Sequence, residues 1–273
     1  MSAAGVESAP SRQRRPARPR RSPWAYVSVI AFLALTWWAG SDRFGIGFSV
    51  PELIENATRA GGIVSDFLDP QWIYWTALIG PFIETFQMAV IGGVIGCSIA
   101  LVVAFLASKV TTPNTAAYLA DKALLNILRA LPDILYALVF VAAVGIGPLA
   151  GIIALILFNI GVVAKLLSET VDGVDLGPSE AAQAAGGNRF QQIRAAVFPQ
   201  VLPNYLAFSL YTFELNLRAS TVLGIVGAGG IGTLINVERA AFRYDRIAVI
   251  IVAIFVIVFV VESISIALRR RLV

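Results

Sequence analysis

The sequence predicts an all-α integral membrane protein with six transmembrane helices and both termini cytoplasmic. Three observations predict it. Of 273 residues, 58% are apolar and 14% charged, with a mean hydropathy of +0.78; soluble domains carry about 25% charged residues. Six apolar runs approach the ~20 residues that a helix needs to cross a bilayer: Trp24–Gly40, Pro81–Ala107, Ala123–Gly145, Pro148–Leu167, Pro199–Val222 and Ile247–Leu268. Basic residues fall unevenly between the segments that join these runs, and an excess of Lys and Arg marks the cytoplasmic side.

Residues 1–22 are rich in Arg, Pro and Ser and predict a disordered basic tail. Its arginines (Arg12, Arg14, Arg15, Arg18, Arg20 and Arg21) also suit a nucleic-acid arm. Beside a span they read as a topology signal, so the expected partner is membrane lipid and not nucleic acid. With this tail inside, the inner segments also carry Lys109, Lys122, Lys165, Arg189, Arg194 and Arg269 to Arg271. The outer segments carry only Arg43, Arg59, Arg239, Arg243 and Arg246. The first run ends in WWAGSD, a poor cleavage site, so it reads as an uncleaved span and not a signal peptide.

Residues 23–78 hold this first span and an outer segment. There Leu53, Ala57, Ala60, Val64, Phe67 and Leu68 recur at helical spacing. That pattern predicts an amphipathic helix, either on the outer interface or packed on other spans. Pro51 fits its first turn, and Trp72, Tyr74 and Trp75 fit the interface before the second span. Residues 79–273 hold the remaining five runs.

Several function classes are excluded early. The chain has no histidine and one cysteine, Cys97, so no disulfide forms within it and a zinc site or hydrolytic triad lacks its usual groups. No catalytic residue, metal ligand or cofactor is assigned. The stretch Gly227-Ala228-Gly229-Gly230-Ile231-Gly232 matches the dinucleotide pattern G-x-G-x-x-G. That pattern needs a strand–helix–strand unit, and an apolar run follows Asp245 instead. We therefore read the glycines either as a re-entrant turn beside a translocation path or as close helix packing by small residues.

Ionisable residues inside spans are functional candidates. Glu214 and Arg218 lie four apart and share one helix face. Arg129 and Asp133 have the same spacing, with Pro132 between them. Glu84 sits near the outer end of the second run. Glu262 is an isolated acid with no evident partner. Lys165, Glu169, Asp172 and Asp175 close the fourth run on its inner side, where solvent or a partner protein would meet them.

The longest polar inner loop is SEAAQAAGGNRFQQIRAAVFPQVLP, Ser179 to Pro203. Pro178 suits a first helical turn. A short helix over Ser179–Ala185 would end at Gly186 and Gly187. Asn188 and Gln191 have capping-box spacing for a second helix that stops before Pro199. Two short helices at a glycine elbow form a knob suited to docking in a soluble partner's cleft.

This loop resembles the EAA loop of ABC-importer permeases, EAA-x3-G-x9-I-x-L-P. Glu180, Ala181, Ala182, Gly186 and Pro199 match, with Ala196 and Phe198 at the Ile and Leu positions. The resemblance covers the second to sixth spans. It is similar more narrowly to phosphonate-importer permeases in three stretches: Glu84 to Ala89, Arg129 to Leu155 and Phe213 to Gly232. It implies the type I importer fold, with a coupling loop over about 175–198 in which Glu180, Ala181, Ala182, Gly186, Gly187 and Pro199 meet the ATPase. It implies a homodimer, two cytoplasmic ATPase subunits that bind ATP-Mg, and an extracytoplasmic substrate-binding protein. The implied cargo is phosphonate or a related oxyanion, phosphate or phosphite. With an anionic cargo, the candidate pathway residues are Arg218, Glu214, Arg129, Glu84, Gly227, Gly229 and Gly230, and the alternative reading of the charges is internal salt bridges that let them survive burial. Alternatives are a permease for another solute such as methionine, or a membrane enzyme acting on lipid phosphates, which would need a metal-binding acidic cluster or a base.

Overall fold

A computed structural model describes residues 23–41 and 47–271. The basic tail and Arg43 lie outside the described residues. The chain divides at Ala60 and Gly61 into two units. The first unit holds α1 (Pro23–Gly40) and α2 (Val50–Glu55). Helix α1 buries none of its residues, as suits a helix that is apolar around its whole circumference and meets lipid. The expected amphipathic helix forms as two pieces, α2 and α3 (Ala57–Leu68), the latter crossing the division. The break is at Asn56, whose side-chain amide donates to the Glu52 carbonyl at 2.9 Å and competes with the next helical turn.

The second unit is a helical bundle centred on α7 (Pro148–Asp172), which packs against α4 (Trp75–Leu106), α5 (Thr115–Ala130), α6 (Asp133–Val144) and α10 (Phe198–Ile225). Small residues let α4 and α7 approach. A Cβ on Gly92 would lie 2.8 Å from the Leu155 Cβ, and one on Gly96 would lie 2.6 Å from the Asn159 Cβ. Neither position tolerates a side chain, which is the small-residue logic of membrane helix packing. Two fully buried asparagines reinforce it. Asn159 Nδ2 donates to the Gly92 carbonyl at 3.0 Å, and Asn216 Nδ2 to the Ala89 carbonyl at 3.3 Å. Gly96→Val is therefore expected to destabilise the bundle by about 1–3 kcal/mol through overpacking. An unchanged melting temperature of the purified variant would contradict this packing.

Contacts of residues 92, 96 and 108 with residues 155, 159 and 172 show that α4 and α7 run parallel. Their joint core continues through Ala100, Ala104, Val163, Leu167 and Val171 toward Val197 and Val201. A second core gathers Met88, Ala150, Ala154, Leu155 and Leu223 at the other end. A third joins Leu78 and Ile231 to Val249, Ile250 and Ala253 of α12 (Tyr244–Arg269).

Two expectations are corrected. The span expected over Ala123–Gly145 is not one helix: α5 and α6 meet at 87°. Pro132 forces Leu131 into extended backbone at φ −89°, ψ 130°. Arg129 and Asp133 thus lose their common face, and the Asp133 carboxylate instead accepts from the Ile134 N–H at 2.9 Å. The helix expected to stop before Pro199 also continues. Helix α9 (Arg189–Gln192) runs through a π turn, Ile193–Val197, into α10. Pro199 falls in the first turn of α10, where a missing N–H is tolerated.

Among the described residues, four helices are long and apolar enough to cross a membrane, or five if the bent α5–α6 pair counts as one span. These are α1, α4 with its preceding turn, α7 and α12. Helix α10 has 28 residues but carries Asn204, Glu214, Asn216 and Arg218.

Candidate functional site

Three arrangements gather the candidate residues. The first is the knob at the end of α7. Helix α8 (Gly177–Ala184) starts with Pro178 in its first turn and Glu180 beside its positive N-terminus. It ends as glycine-terminated helices do: the Gly186 N–H donates to the Gln183 carbonyl at 2.9 Å and the Gly187 N–H to the Ala182 carbonyl at 3.0 Å. Gly186 has φ +83°, which an L side chain adopts with strain, and a Cβ on Gly187 would lie 2.8 Å from the Ala182 oxygen. The capping box is complete. Asn188 Oδ1 accepts from the Gln191 N–H at 2.9 Å, and Gln191 Oε1 from the Asn188 N–H at 2.8 Å.

The knob is tied to the bundle. Gln200 Oε1 accepts from the Asp175 N–H and its Nε2 donates to the Asp175 carbonyl, both at 3.0 Å. Arg189 donates to the Val110 carbonyl at 3.3 Å. Asp172, at the end of α7, ties the turn after α4 to the middle of α5 and does more than meet solvent. It accepts from Ser108 Oγ at 2.6 Å, the Lys109 N–H at 2.8 Å and Lys122 Nζ at 3.4 Å. Lys165 pairs with Glu169 at 3.1 Å. Glu180, Ala181, Ala184 and Ala185 are exposed on the knob. So is Phe190, with 71% of its surface open, a large apolar side chain that the sequence reading passed over.

The second arrangement is the glycine elbow between α10 and α11 (Ile231–Ala240). Gly227, Gly229 and Gly230 all have positive φ, at +91°, +85° and +76°. The elbow presses against the starts of α4 and α7. The Gly147 N–H donates to the Gly227 carbonyl at 2.9 Å, and the Gly230 N–H to Glu84 Oε1 at 3.1 Å. Thr85 Oγ1 accepts from the Ile231 N–H at 2.8 Å, a contact the sequence reading missed although Glu84 and Thr85 are adjacent. Ala228 is fully buried, and its carbonyl takes the room that a Cβ on Gly151 would need. A Cβ would crowd the Pro148 backbone at Gly229 and the Thr85 hydroxyl at Gly230, and no strand accompanies the elbow among the described residues.

The third arrangement is an ion cluster between α10 and α12. Glu214 is buried and binds Arg218 on its own helix, as the spacing predicts. Glu262 is not isolated: its carboxylate meets Arg218 at 3.1 Å. Arg269 reaches the second oxygen of Glu214 at 3.6 Å. Glu262 and Arg269 are 44 and 55 residues from their partners, so no local pattern exposes these pairs. Arg129 joins none of the three arrangements.

A bundle of apolar helices with an exposed polar knob has the architecture of a membrane component. The chain belongs to the family described as the binding-protein-dependent transport system inner membrane component, whose model matches residues 112–273. It is 35% identical to the phosphite transport system permease protein PtxC of Stutzerimonas stutzeri, over 89% of this chain and 93% of that one. It is 40% identical to the phosphate-import permease protein PhnE of Mycolicibacterium smegmatis, over 70% of this chain but 36% of that longer one. Its fold matches a chain of the MetNI methionine ABC transporter solved in inward-facing conformations, with TM-score 0.62 and 24% identity over 74% of this chain and 99% of that one. The chain is thus a membrane permease component of an importer family.

Proposed function

We propose that the chain is the permease of an ATP-driven importer for a phosphorus oxyanion: phosphonate, phosphate or phosphite. The observation that carries this reading is the 35% identity to a phosphite permease along 93% of that protein's length. The likeness to the methionine transporter, at 24% identity, speaks for the fold and not the cargo. In this reading α10 is the sixth crossing despite its charges, and both termini face the cytoplasm. Two copies form the pathway. Two ATPase subunits, which bind ATP-Mg, dock on the knobs through Glu180, Ala181, Ala182, Gly186 and Gly187, while Pro199 starts the helix that carries their motion inward. An extracytoplasmic binding protein delivers the cargo.

ATP binding draws the ATPases and the two knobs together. The Gln200–Asp175 clamp and the unbroken run from α9 into α10 pass that motion to the helices. A bistable dimer then alternates between inward- and outward-open states. Arg218 faces the cargo, because a guanidinium binds phosphoryl oxygens in bidentate fashion. Glu84 and the elbow glycines Gly227, Gly229 and Gly230 form the firm end of the pathway.

Uptake of labelled phosphate, phosphite and methylphosphonate into proteoliposomes containing the full complex tests this. Accumulation of at least one of them, dependent on ATP and the binding protein, is expected. Arg218→Gln is expected to lower it by roughly 10-fold or more, the scale of a lost charge-assisted contact. If Arg218→Gln left uptake untouched while Ala182→Trp abolished it, Arg218 would have no place in the pathway.

A further inference from the structure

The ion cluster is part of a longer polar stripe. On α10, Tyr211, Glu214 and Arg218 recur at helical spacing and share one face. On α12, Glu262, Ser265 and Arg269 do the same. The two stripes meet. Arg218 contacts both Glu214 and Glu262, Arg269 contacts Glu214, and the Arg269 guanidinium lies 5.8 Å from the Tyr211 ring centre. Two donors in the stripe have no acceptor: Ser265 Oγ and Arg269 Nε are both buried without a hydrogen-bond partner. The neighbouring Ser263, by contrast, donates to the Phe259 carbonyl at 2.7 Å, as helix serines usually do. Buried donors are rarely left unmade without a reason.

Glu214 has a particular position here. Its carboxylate is buried, with one oxygen on Arg218 and the other on Arg269. A carboxylate and a phosphoryl group present similar acceptors to guanidinium. We infer that Arg218, Ser265 and Arg269 form an oxyanion site between α10 and α12, and that Glu214 occupies it as a resident stand-in for the cargo. The inference rests on the oxyanion-importer reading and adds Ser265, Glu262 and Arg269 to its pathway.

The charges explain why such a site suits transport. Glu214 and Glu262 balance Arg218 and Arg269, so the cluster is neutral before cargo arrives. An incoming anion must displace a carboxylate to gain its guanidinium. It is held weakly and leaves easily, while Ser265 and Arg269 Nε–H supply donors that the carboxylates do not use. An open hollow of about 580 Å3 lined by Ala207, Ile266, Arg269 and Arg270 leaves the Arg269 end approachable. Replacing Glu214 by neutral Gln removes the competitor and leaves a net positive charge, which converts a passage into a trap.

The test uses the permease–ATPase complex in phosphatidylcholine nanodiscs without binding protein. Equilibrium binding of inorganic phosphate, phosphite and methylphosphonate is measured for wild type and Glu214→Gln. The variant is expected to bind at least one of them roughly tenfold more tightly, as one more unpaired guanidinium allows. In the full complex its uptake should fall by a similar factor. Adding Arg269→Gln or Ser265→Ala should erase or weaken the gain. If Glu214→Gln does not fold, Glu262→Gln, at a half-exposed position, removes one of the two carboxylates on Arg218 and is expected to raise affinity in the same direction by a smaller factor. No gain for any anion would overturn the inference, as would a gain that survives Arg269→Gln. So would nanodiscs doped with phosphatidic acid in which the variant retains that lipid and loses the free anion. Wild-type ATPase activity separates the two claims. If no oxyanion-loaded binding protein stimulates it, the importer reading itself fails. If stimulation is seen but Glu214→Gln and Arg269→Gln match wild type in binding and uptake, only this inference fails.

Discussion

Phe190→Ala is expected to leave the permease folded and to uncouple it from ATP hydrolysis. The ring is 71% exposed in the isolated chain, so its removal costs the fold little. It projects next to the Asn188 capping box, on the same knob as Glu180, Ala181 and Gly186. That knob is held by the Gln200–Asp175 pair and has little freedom to retreat. An aromatic side chain that anchors a docking patch contributes about 2 kcal/mol or more, or roughly a 30-fold loss of affinity on truncation. We expect pull-down of the ATPase by the variant to weaken on that scale, with circular dichroism and melting temperature unchanged. Ala181→Trp should act alike by filling the cleft that a small side chain enters. Full ATPase retention by both variants would remove the knob from the coupling path.

The second large effect concerns the elbow, where two costs of a side chain can be separated. At Gly145, φ is +93° and ψ 170°, a region open essentially to glycine alone, and a Cβ would meet nothing within 4 Å, so alanine bears only the backbone strain, about 1–3 kcal/mol. At Gly227, φ is +91° and the Cβ would touch the Ile146 side chain at 3.4 Å, which adds little. At Gly229, φ is +85° and the Cβ would lie 2.7 Å from Glu84 Oε1 and 2.8 Å from the Pro148 Cα. Backbone cannot step aside as a flexible side chain can, and overpacking adds about 1–3 kcal/mol. Gly229→Ala should therefore lower the melting temperature most, with Gly227→Ala and Gly145→Ala milder and close together. Equal losses at all three positions would mean that the elbow is not seated on α7 as described.

The fold was legible in the sequence where local patterns decide it. The apolar runs of α1, α4, α7 and α12, the glycine ending of α8, the Asn188–Gln191 box and the Glu214–Arg218 pair are all set within a few residues. The dinucleotide pattern over Gly227 to Gly232 was rightly set aside, because its context in the chain is helical. What escaped needed distant partners. Glu262 reads as isolated because Arg218 is 44 residues away. Arg269 counted as a terminal topology charge until the bundle brought it to Glu214. Asp172 draws its partners from the turn after α4 and from the middle of α5. Two local features also misled. The apolar run Ala123–Gly145 reads as one span, but Pro132 turns the chain there by 87°. Pro199 reads as a stop, but the π turn before it carries the helix onward.

The most direct test of the central claim is the ATPase activity of the complete complex in lipid, with its ATPase and binding protein, across phosphate, phosphite, methylphosphonate and methionine. The account predicts stimulation by at least one oxyanion-loaded binding protein, none by methionine, and loss of stimulation in Ala182→Trp. Stimulation by methionine and by no oxyanion would keep the coupling knob and contradict the cargo.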